Sequence, residues 1–207
     1  MGDVVYLHPI SKWRMERKIA NEFEMIVYNK ELAPESKAFM IRHMYPWDKG
    51  SGAFPVVSFA RELGLEVYRD DLSELKDFDI KGYLALKPID EQSVIVVSED
   101  ESYGHQRWTI AHEIWHYILN KDKRSKSRKG KTLYYTEHGY DYEDETSSDE
   151  EVNANAFATA LLMPENEFIQ IYEEYKDEGF SVQKEKLEEY FQISPTQVKK
   201  RIKTLNL

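Results

Sequence analysis

The stretch RWTIAHEIWHYILN, residues 107–120, decides how the rest of this chain is interpreted. Its apolar residues recur at helical spacing, and His112 and His116 stand four residues apart within it. Residues four apart lie one above the other on an α-helix, with Cβ atoms roughly 5–6 Å apart, so both imidazoles can reach one metal ion. Glu113 is turned about 100° from His112, where it is poorly placed as a ligand but well placed to accept a proton from water. The pattern H-E-x-x-H therefore predicts a helix with two metal ligands and a general base.

A purely structural interpretation competes with the catalytic one, because short patterns recur by chance and a histidine on an apolar helix is often a hydrogen-bonded core residue. Apolar side chains surround the motif almost completely: Trp108, Ile110, Ala111, Ile114, Trp115, Tyr117, Ile118 and Leu119. They predict a buried helix. Burying two imidazoles and a carboxylate without partners is costly, and a metal ion would satisfy all three groups. The apolar surroundings therefore favour the metal site.

Length, charge and composition narrow the classes of protein. The 207 residues suffice for one main domain, and the net charge of −10 argues against a protein whose main task is to neutralise nucleic-acid phosphates. The absence of cysteine excludes disulfides, thiolate nucleophiles and cysteine zinc sites, and it fits a reducing cytoplasm. No stretch has the length of a signal-peptide core at the N-terminus or approaches the roughly 20 apolar residues of a membrane span. We therefore expect a cytoplasmic protein with no membrane partner.

The remaining pattern predicts an α+β protein that is mostly helical, with a small sheet of about three strands. We interpret residues 1–52 as an N-terminal helical extension, with helices at about 11–32 and 35–44. A short helix at about 55–63 opens the main domain, residues 53–207. Three β-branched or aromatic runs then predict strands at residues 65–70, 80–87 and 93–98.

After the predicted helix that carries the H-E-x-x-H motif, the chain consists of a polar segment followed by a helical segment. Residues 121–150 are polar, basic first and acidic later, and we expect this segment to flank the cleft and to be mobile. Within it, residues 133–142 are compatible with a strand or hairpin. Apolar periodicity and capping residues predict helices at residues 151–163, 165–175, 182–191 and 195–205.

A catalytic zinc site needs three protein ligands and an open position, so one more ligand has to follow His116. Glu151 is the preferred candidate, because it shares a helical stripe with alanines that would let its helix approach the histidine helix closely. Asn155, one turn later, is placed to hydrogen-bond a ligating imidazole and fix its orientation. Glu150 is the competing ligand, on a stripe with larger side chains. A capping box of Glu151 with Ser148 is the alternative that needs no metal.

Two separate stretches resemble the paired motifs of the ImmA/IrrE family of metallo-endopeptidases: RWTIAHEIWHYIL at residues 107–119 and EEVNANAFATALLMP at residues 150–164. The resemblance spans about residues 55–164, and the terminal stretch FQISPTQVKKRIKTLNL looks like the usual end of the family. The chain departs from the family pattern at two positions. Asn153 stands where an acidic residue is common, and Trp115 replaces the usual glycine before the second histidine, which bears on the shape of the cleft.

The resemblance implies a zincin-like metallopeptidase domain with a helix-turn-helix-like C-terminal end, and Zn²⁺ as the cofactor. It places Glu151 at the third-ligand position beside His112 and His116, with Glu113 as the base. It also implies cleavage of a partner protein, typically a helix-turn-helix repressor of a mobile element or stress regulon. The group that stabilises the carbonyl oxygen is left open among Tyr135, Tyr140, His138 and His105.

Two other functions remain as alternatives. The first is a sensor that uses the same scaffold to bind a regulator without cutting it. The second is DNA binding through the C-terminal helices, where residues 191–205 look like the second half of a helix-turn-helix and basic residues cluster: Lys199, Lys200, Arg201 and Lys203. We favour a basic helix that closes the domain over nucleic-acid binding, because the whole chain is acidic.

Overall fold

In a computed structural model of the chain, the described residues are 17–73, 80–86, 92–126, 132–135 and 149–207. Side chains are described for 22–73, 80–86, 92–119 and 149–207. Within these residues, eight α-helices and four strands follow one another, and all four strands lie between the third and the fifth helix in the sequence. The α+β class that the sequence predicted, with helices predominating, is confirmed.

Two helices precede the sheet, α1 (Arg17–Tyr28) and α2 (Pro34–Met44). The sequence predicted α2 within one residue, and Pro34 in its first turn is pre-set for the helical φ angle. For α1 the predicted end near residue 32 is wrong, because the side chain of Asn29 accepts a hydrogen bond from the Glu31 amide at 2.9 Å and forms a turn instead. The predicted start at residue 11 lies outside the described residues. A third helix, α3 (Val56–Glu62), leads into the sheet.

The sheet has four strands: β1 (Leu65–Asp70), β2 (Gly82–Leu86), β3 (Ser93–Ser98) and β4 (Thr132–Tyr135). Their order is β1-β3-β2-β4, with β1 parallel to β3 and with β2 antiparallel to both β3 and β4. The first and third predicted strands match at both ends, and the second is shorter than predicted. The fourth lies inside the stretch for which the sequence allowed a strand or hairpin, and the rest of that stretch is outside the described residues.

The long helix α4 (Tyr103–Lys126) lies directly against the sheet. Gly82 of β2 makes this approach possible, because a Cβ atom added there would lie 2.5 Å from Cγ2 of Thr109 and 2.7 Å from the carbonyl oxygen of Val96. Another part of α4 packs against α5 (Asp149–Leu162). The helix that carries the H-E-x-x-H motif is therefore enclosed between the sheet and α5.

Three helices complete the chain: α6 (Glu165–Glu174), α7 (Phe180–Phe191) and α8 (Pro195–Leu205). They agree with the predicted helices to within two residues at each end. Ser194 stands at the N-cap position of α8 as expected, although its side chain makes no capping hydrogen bond. The serines expected to cap α5, like most of the polar segment before it, lie outside the described residues.

One hydrophobic core joins the helices and the sheet. Buried side chains from residues 17–52 belong to it together with side chains of α4 and α5: Phe23, Val27, Ala38, Ile41, Tyr45, Trp108, Ile114 and Phe157. Within this core α2 packs against α5. The division of the chain at residue 52 stays a prediction, and the packing of α2 bears on it below.

No helix in the described part of the chain combines the length and the apolar character that crossing a bilayer requires.

Candidate metal centre

Three predicted ligand residues converge at the contact between α4 and α5. Nε2 of His112 lies 3.1 Å from Nε2 of His116 and 3.1 Å from Oε2 of Glu151. Nε2 of His116 lies 3.0 Å from Oε1 of Glu151. A tetrahedral ion with bonds of about 2.0–2.1 Å separates its ligand atoms by roughly 3.3 Å, close to these distances. Two imidazoles and one carboxylate also form the donor set of catalytic zinc sites, so the residues present fit a metal ion.

The far nitrogen of each imidazole is held by a side chain of α5. Nδ1 of His112 lies 3.1 Å from Oδ1 of Asn155, the residue predicted for this position. Nδ1 of His116 lies 3.0 Å from Oε1 of Glu150, which the sequence analysis treated as a competing ligand. A hydrogen bond that Nδ1–H donates to an amide or carboxylate oxygen leaves Nε2 facing the metal and fixes the plane of the ring. Glu150 therefore contacts the side of the His116 ring opposite to Nε2 and orients this ring. The sequence analysis did not predict this orienting role.

The sequence contained a signal for the separate places of Glu150 and Glu151. Consecutive residues on a helix are rotated by about 100°, so two adjacent carboxylates cannot approach one point from the same side. One of them has to reach the ion and the other has to find another partner. The partner of Glu150 is Nδ1 of His116, and whether Glu150 can reach this atom depends on how α4 is rotated against α5.

Burial and the hydrogen bonds between the three ligand residues shift their pKa values in opposite directions. Burial lowers the pKa of His112, and the neighbouring His116 adds to the effect. Burial also lowers the pKa of His116, but hydrogen bonds to Glu150 and Glu151 outweigh it and raise the pKa to about 10. Burial raises the pKa of Glu151, yet hydrogen bonds from the two histidines hold it well below its usual range. Glu151 is thus ionised at neutral pH, the state in which a carboxylate binds a cation.

Glu113 is fully buried and follows His112 on α4. Its negative charge contributes to raising the pKa of His116. It is not one of the three residues whose ligand atoms converge. This is the arrangement that the helix geometry predicted for a general base, and its catalytic role stays a prediction.

Trp115 packs into the hydrophobic core. Its ring lies 5.3 Å from that of Phe157 on α5, and Nζ of Lys37 on α2 lies 5.1 Å from the Trp115 ring. The side chain is only 3% exposed. The substitution of the family's glycine is therefore accommodated between α4, α5 and α2.

The four candidates for stabilising the carbonyl oxygen are placed differently. Tyr135 ends β4, where its backbone pairs with Tyr83, while Tyr140 and His138 lie outside the described residues. His105 lies in the first turns of α4, with Nδ1 2.5 Å from Oε2 of Glu101. At 1.5 Å per residue it is about 10 Å before His112 along the helix, so the structure does not bring it into the cluster. Which residue stabilises the oxygen stays a prediction.

The basic residues of α8 do not form one exposed patch. Lys199 and Lys203 are exposed, whereas Arg201 is largely buried and lies 4.0 Å from Glu165. Lys200 is half-buried. DNA binding through this helix stays a prediction.

A histidine pair on one helix and a carboxylate from a second helix, beside a buried glutamate, are the features of a metallopeptidase in general. Comparison with protein families agrees with this class. The IrrE N-terminal-like domain family, Peptidase_M78, matches residues 60–203, and the chain belongs to this family. The resemblance stated from the two motifs is thereby confirmed. A search among curated proteins gave no match.

Proposed function

We propose that the chain is a zinc-dependent endopeptidase that cleaves a regulatory protein in the cytoplasm. The observation that carries this proposal is the convergence of ligand atoms from His112, His116 and Glu151 beside the buried carboxylate of Glu113. Membership of the Peptidase_M78 family supports a metallopeptidase. Zinc, the endopeptidase activity and the regulatory substrate are our own additions.

His112, His116 and Glu151 would hold the zinc ion, since this donor set leaves a fourth position open in catalytic zinc sites. When bound, zinc supplies Lewis-acid chemistry: it polarises a carbonyl and lowers the pKa of a water to about 7. Asn155 and Glu150 keep both imidazoles in the tautomer that presents Nε2. The chain's own contribution is thus a rigid set of ligands whose orientation α5 controls.

Glu113 would act as general base and then as general acid. Its carboxylate accepts a proton from the attacking water and passes that proton to the nitrogen of the leaving amine. Its burial excludes bulk water from the carboxylate, and electrostatic interactions are stronger in such surroundings. One side chain can therefore serve both proton transfers.

The substrate we propose is a helix-turn-helix repressor, and the support for it is the family resemblance of the two motifs. The test is to incubate the purified protein with repressors encoded near its gene and to look for defined fragments. Zinc added to metal-depleted protein should restore cleavage.

Glu113→Gln is the variant that tests the mechanism. The amide keeps the size of the carboxylate but cannot accept the proton, so we expect the variant to fold, to keep its metal and to lose cleavage by at least roughly 10²–10⁴-fold. It should also retain its partner as a stable complex, because recognition does not need the base. Zinc content, thermal stability and fragment formation are measured on one preparation.

The same variant separates the peptidase from the non-cleaving sensor. If Glu113→Gln keeps its zinc and its full regulatory effect on the partner, catalysis is not the function. Loss of the effect together with loss of fragments supports the peptidase.

A further inference from the structure

Val152 is an apolar side chain that directly follows the proposed ligand Glu151 on α5. It is 49% exposed, and on α5, all of whose side chains are described, no other large apolar residue is exposed. A single exposed apolar side chain is common at protein surfaces and needs no function of its own. The role of Val152 therefore depends on which side of the metal centre it occupies.

The contact of Trp115 with Phe157 marks the side of the α4–α5 pair on which α2 packs. The two rings lie 5.3 Å apart, and Nζ of Lys37 on α2 lies 5.1 Å from the Trp115 ring. Glu113 precedes Trp115 by two residues, which rotates it by about 200° around α4. Val152 precedes Phe157 by five residues, which rotates it by about 140° around α5 after one full turn. Both side chains therefore lie on the side of the pair that faces away from α2.

The side of α4 that carries Glu113 borders the sheet. A Cβ atom added at Gly82 of β2 would lie 2.5 Å from Cγ2 of Thr109, so Thr109 faces the sheet. Glu113 follows Thr109 by one helical turn and lies on the same face of α4. Glu113 is fully buried, whereas Val152 is half exposed. On this side of the centre Glu113 thus lies deep between the sheet and α5, and Val152 lies on α5 where the side opens to solvent.

The proposed reaction brings a substrate to this same side. The attacking water has to lie within hydrogen-bond reach of Glu113, so the scissile bond is bound on the side that Glu113 occupies. An extended peptide directs consecutive side chains to opposite sides, so one of the two side chains that flank the bond faces α5. Contact between that side chain and Val152 removes apolar surface from water on both partners if the side chain is aliphatic. Val152 has no polar atom that could compensate a charged side chain for its lost hydration.

We propose that Val152 is a specificity-determining residue, which selects substrates with a bulky aliphatic side chain next to the bond that is cut. This inference rests on the proposed peptidase function and adds the substrate preference to it. Val152 contacts a substrate side chain and takes no part in the proton transfers of Glu113 or in holding the metal. Its replacement therefore changes which substrate binds best, while the metal centre stays intact.

Three synthetic hydroxamates test the proposal by calorimetric titration of the full chain loaded with zinc. They share a hydroxamate group that binds zinc and a short succinyl methylamide backbone, and they differ in one side chain: hydrogen, isobutyl or 4-aminobutyl. We expect the isobutyl compound to bind about tenfold more tightly than the hydrogen compound, the size of effect that apolar contact in a binding pocket produces. The 4-aminobutyl compound should bind more weakly than the isobutyl compound. Equal affinities of the hydrogen and isobutyl compounds overturn the proposal.

Matched variants assign the preference to Val152. Val152→Ala should lower the preference for isobutyl over hydrogen by about threefold or more and leave the affinity of the hydrogen compound unchanged. Val152→Asp should bind the 4-aminobutyl compound more tightly than the isobutyl compound, because a carboxylate then faces the amine. Met25→Ala is the control, since Met25 is 72% exposed on α1, which packs against α2 on the other side of the pair. It should leave all three affinities unchanged.

Zinc content and thermal unfolding are measured on every variant, so that a change of selectivity is separated from damage to the centre. Full isobutyl preference in Val152→Ala, or equal losses for all three compounds, overturns the role of Val152 and leaves the peptidase proposal standing. If Val152→Asp loses its zinc, Val152→Ala decides. Failure of all three compounds to bind protein that holds one zinc per chain would mean that the metal has no open position, and the peptidase proposal and this inference would both be wrong.

Discussion

At the residue scale, the two adjacent carboxylates of α5 have different partners. Glu151 faces the Nε2 atoms of both histidines, whereas Glu150 contacts Nδ1 of His116. Asn155 contacts Nδ1 of His112 in the same way. One helix therefore supplies a ligand and both groups that orient the imidazoles, so the rotation of α5 against α4 sets the geometry of the whole centre.

Separate substitutions distinguish the ligand from the orienting residue. Glu151→Ala, like His112→Ala and His116→Ala, should lose nearly all bound metal, because three ligands leave little redundancy. Glu150→Gln should keep its metal with an affinity lowered roughly 10–100-fold, the usual cost of removing an outer hydrogen-bond partner. Elemental analysis and titration against a chelating dye measure both. Full occupancy in Glu151→Ala with loss in Glu150→Gln would exchange the two assignments.

Lys37 is a fully buried amine whose charge is supported by two contacts. Its Nζ donates a hydrogen bond to the carbonyl of Val27 at 2.9 Å and lies 5.1 Å from the Trp115 ring. Burial lowers the pKa of Lys37 from 10.5 to about 8. Between these two values the unfolded chain binds more protons than the folded one, so the free energy of unfolding rises with pH across this window.

Lys37→Met should remove this rise. Relative to the variant, we expect the wild type to gain up to roughly 3 kcal/mol of stability between pH 8 and 10.5, and the difference between the two should be constant below pH 8. Urea unfolding at closely spaced pH values measures the effect. Lys199→Met, at an exposed position of α8, serves as the control and should follow the wild type. A wild-type curve parallel to that of Lys37→Met would show that the amine is not desolvated.

At the element scale, the sequence predicted what local pattern determines. The strands Leu65–Asp70 and Ser93–Ser98 matched at both ends, since β-branched runs are bounded there by turn residues. Local pattern could not predict that β1 pairs with β3 rather than with β2, because strand order depends on contacts between distant segments. The metal cluster was predictable from spacing for the two histidines. The contact of Glu150 was not, because it depends on the packing of two helices.

Gly82 shows how one residue sets the distance between two elements. Gly82→Ala would place a methyl group 2.5 Å from Cγ2 of Thr109 and 2.7 Å from a backbone oxygen of β3, so either α4 or β2 has to move. We expect a loss of roughly 1–3 kcal/mol in the free energy of unfolding, as for other overpacked sites. Gly50→Ala is the matched control, because the nearest atom to its added Cβ is the exposed Asp48 carboxylate at 3.3 Å. Equal stability of the two variants in urea unfolding would contradict the close approach of α4 to the sheet.

At the scale of the whole molecule, α2 is bonded to α5, the helix that carries Glu151. Arg42 of α2 is 6% exposed and donates hydrogen bonds to the carbonyl of Leu161 on α5 at 2.9 Å and to Glu167 on α6 at 2.7 Å. The guanidinium also lies 4.8 Å from the ring of Trp47. The family match begins only at residue 60, so these contacts come from a part of the chain outside it. A helix that precedes the matched region thus stabilises α5, the helix that supplies Glu151.

This packing leads to a prediction about the fragment 53–207. Removing α1 and α2 takes away helices that pack against α4 and α5, including Lys37 beside the buried ring of Trp115, and it leaves the Leu161 carbonyl without Arg42. We expect the fragment to unfold without a cooperative transition and to retain little metal, while the full chain shows one transition. Urea unfolding with elemental analysis measures both properties.

Adding the separate segment 17–52 provides the control for this fragment. The contacts of α2, which are the hydrogen bond of Arg42 and its buried apolar face, are noncovalent and do not require a peptide bond at residue 52. The segment should therefore restore part of the metal binding when it is mixed with the fragment. Arg42→Ala in the added segment should abolish the restoration, since the exposed end of α5 would again lack its donor. A fragment 53–207 that unfolds cooperatively with its full metal content would instead make residue 52 a true domain boundary. The contacts of α2 with α5 would then be dispensable for the centre.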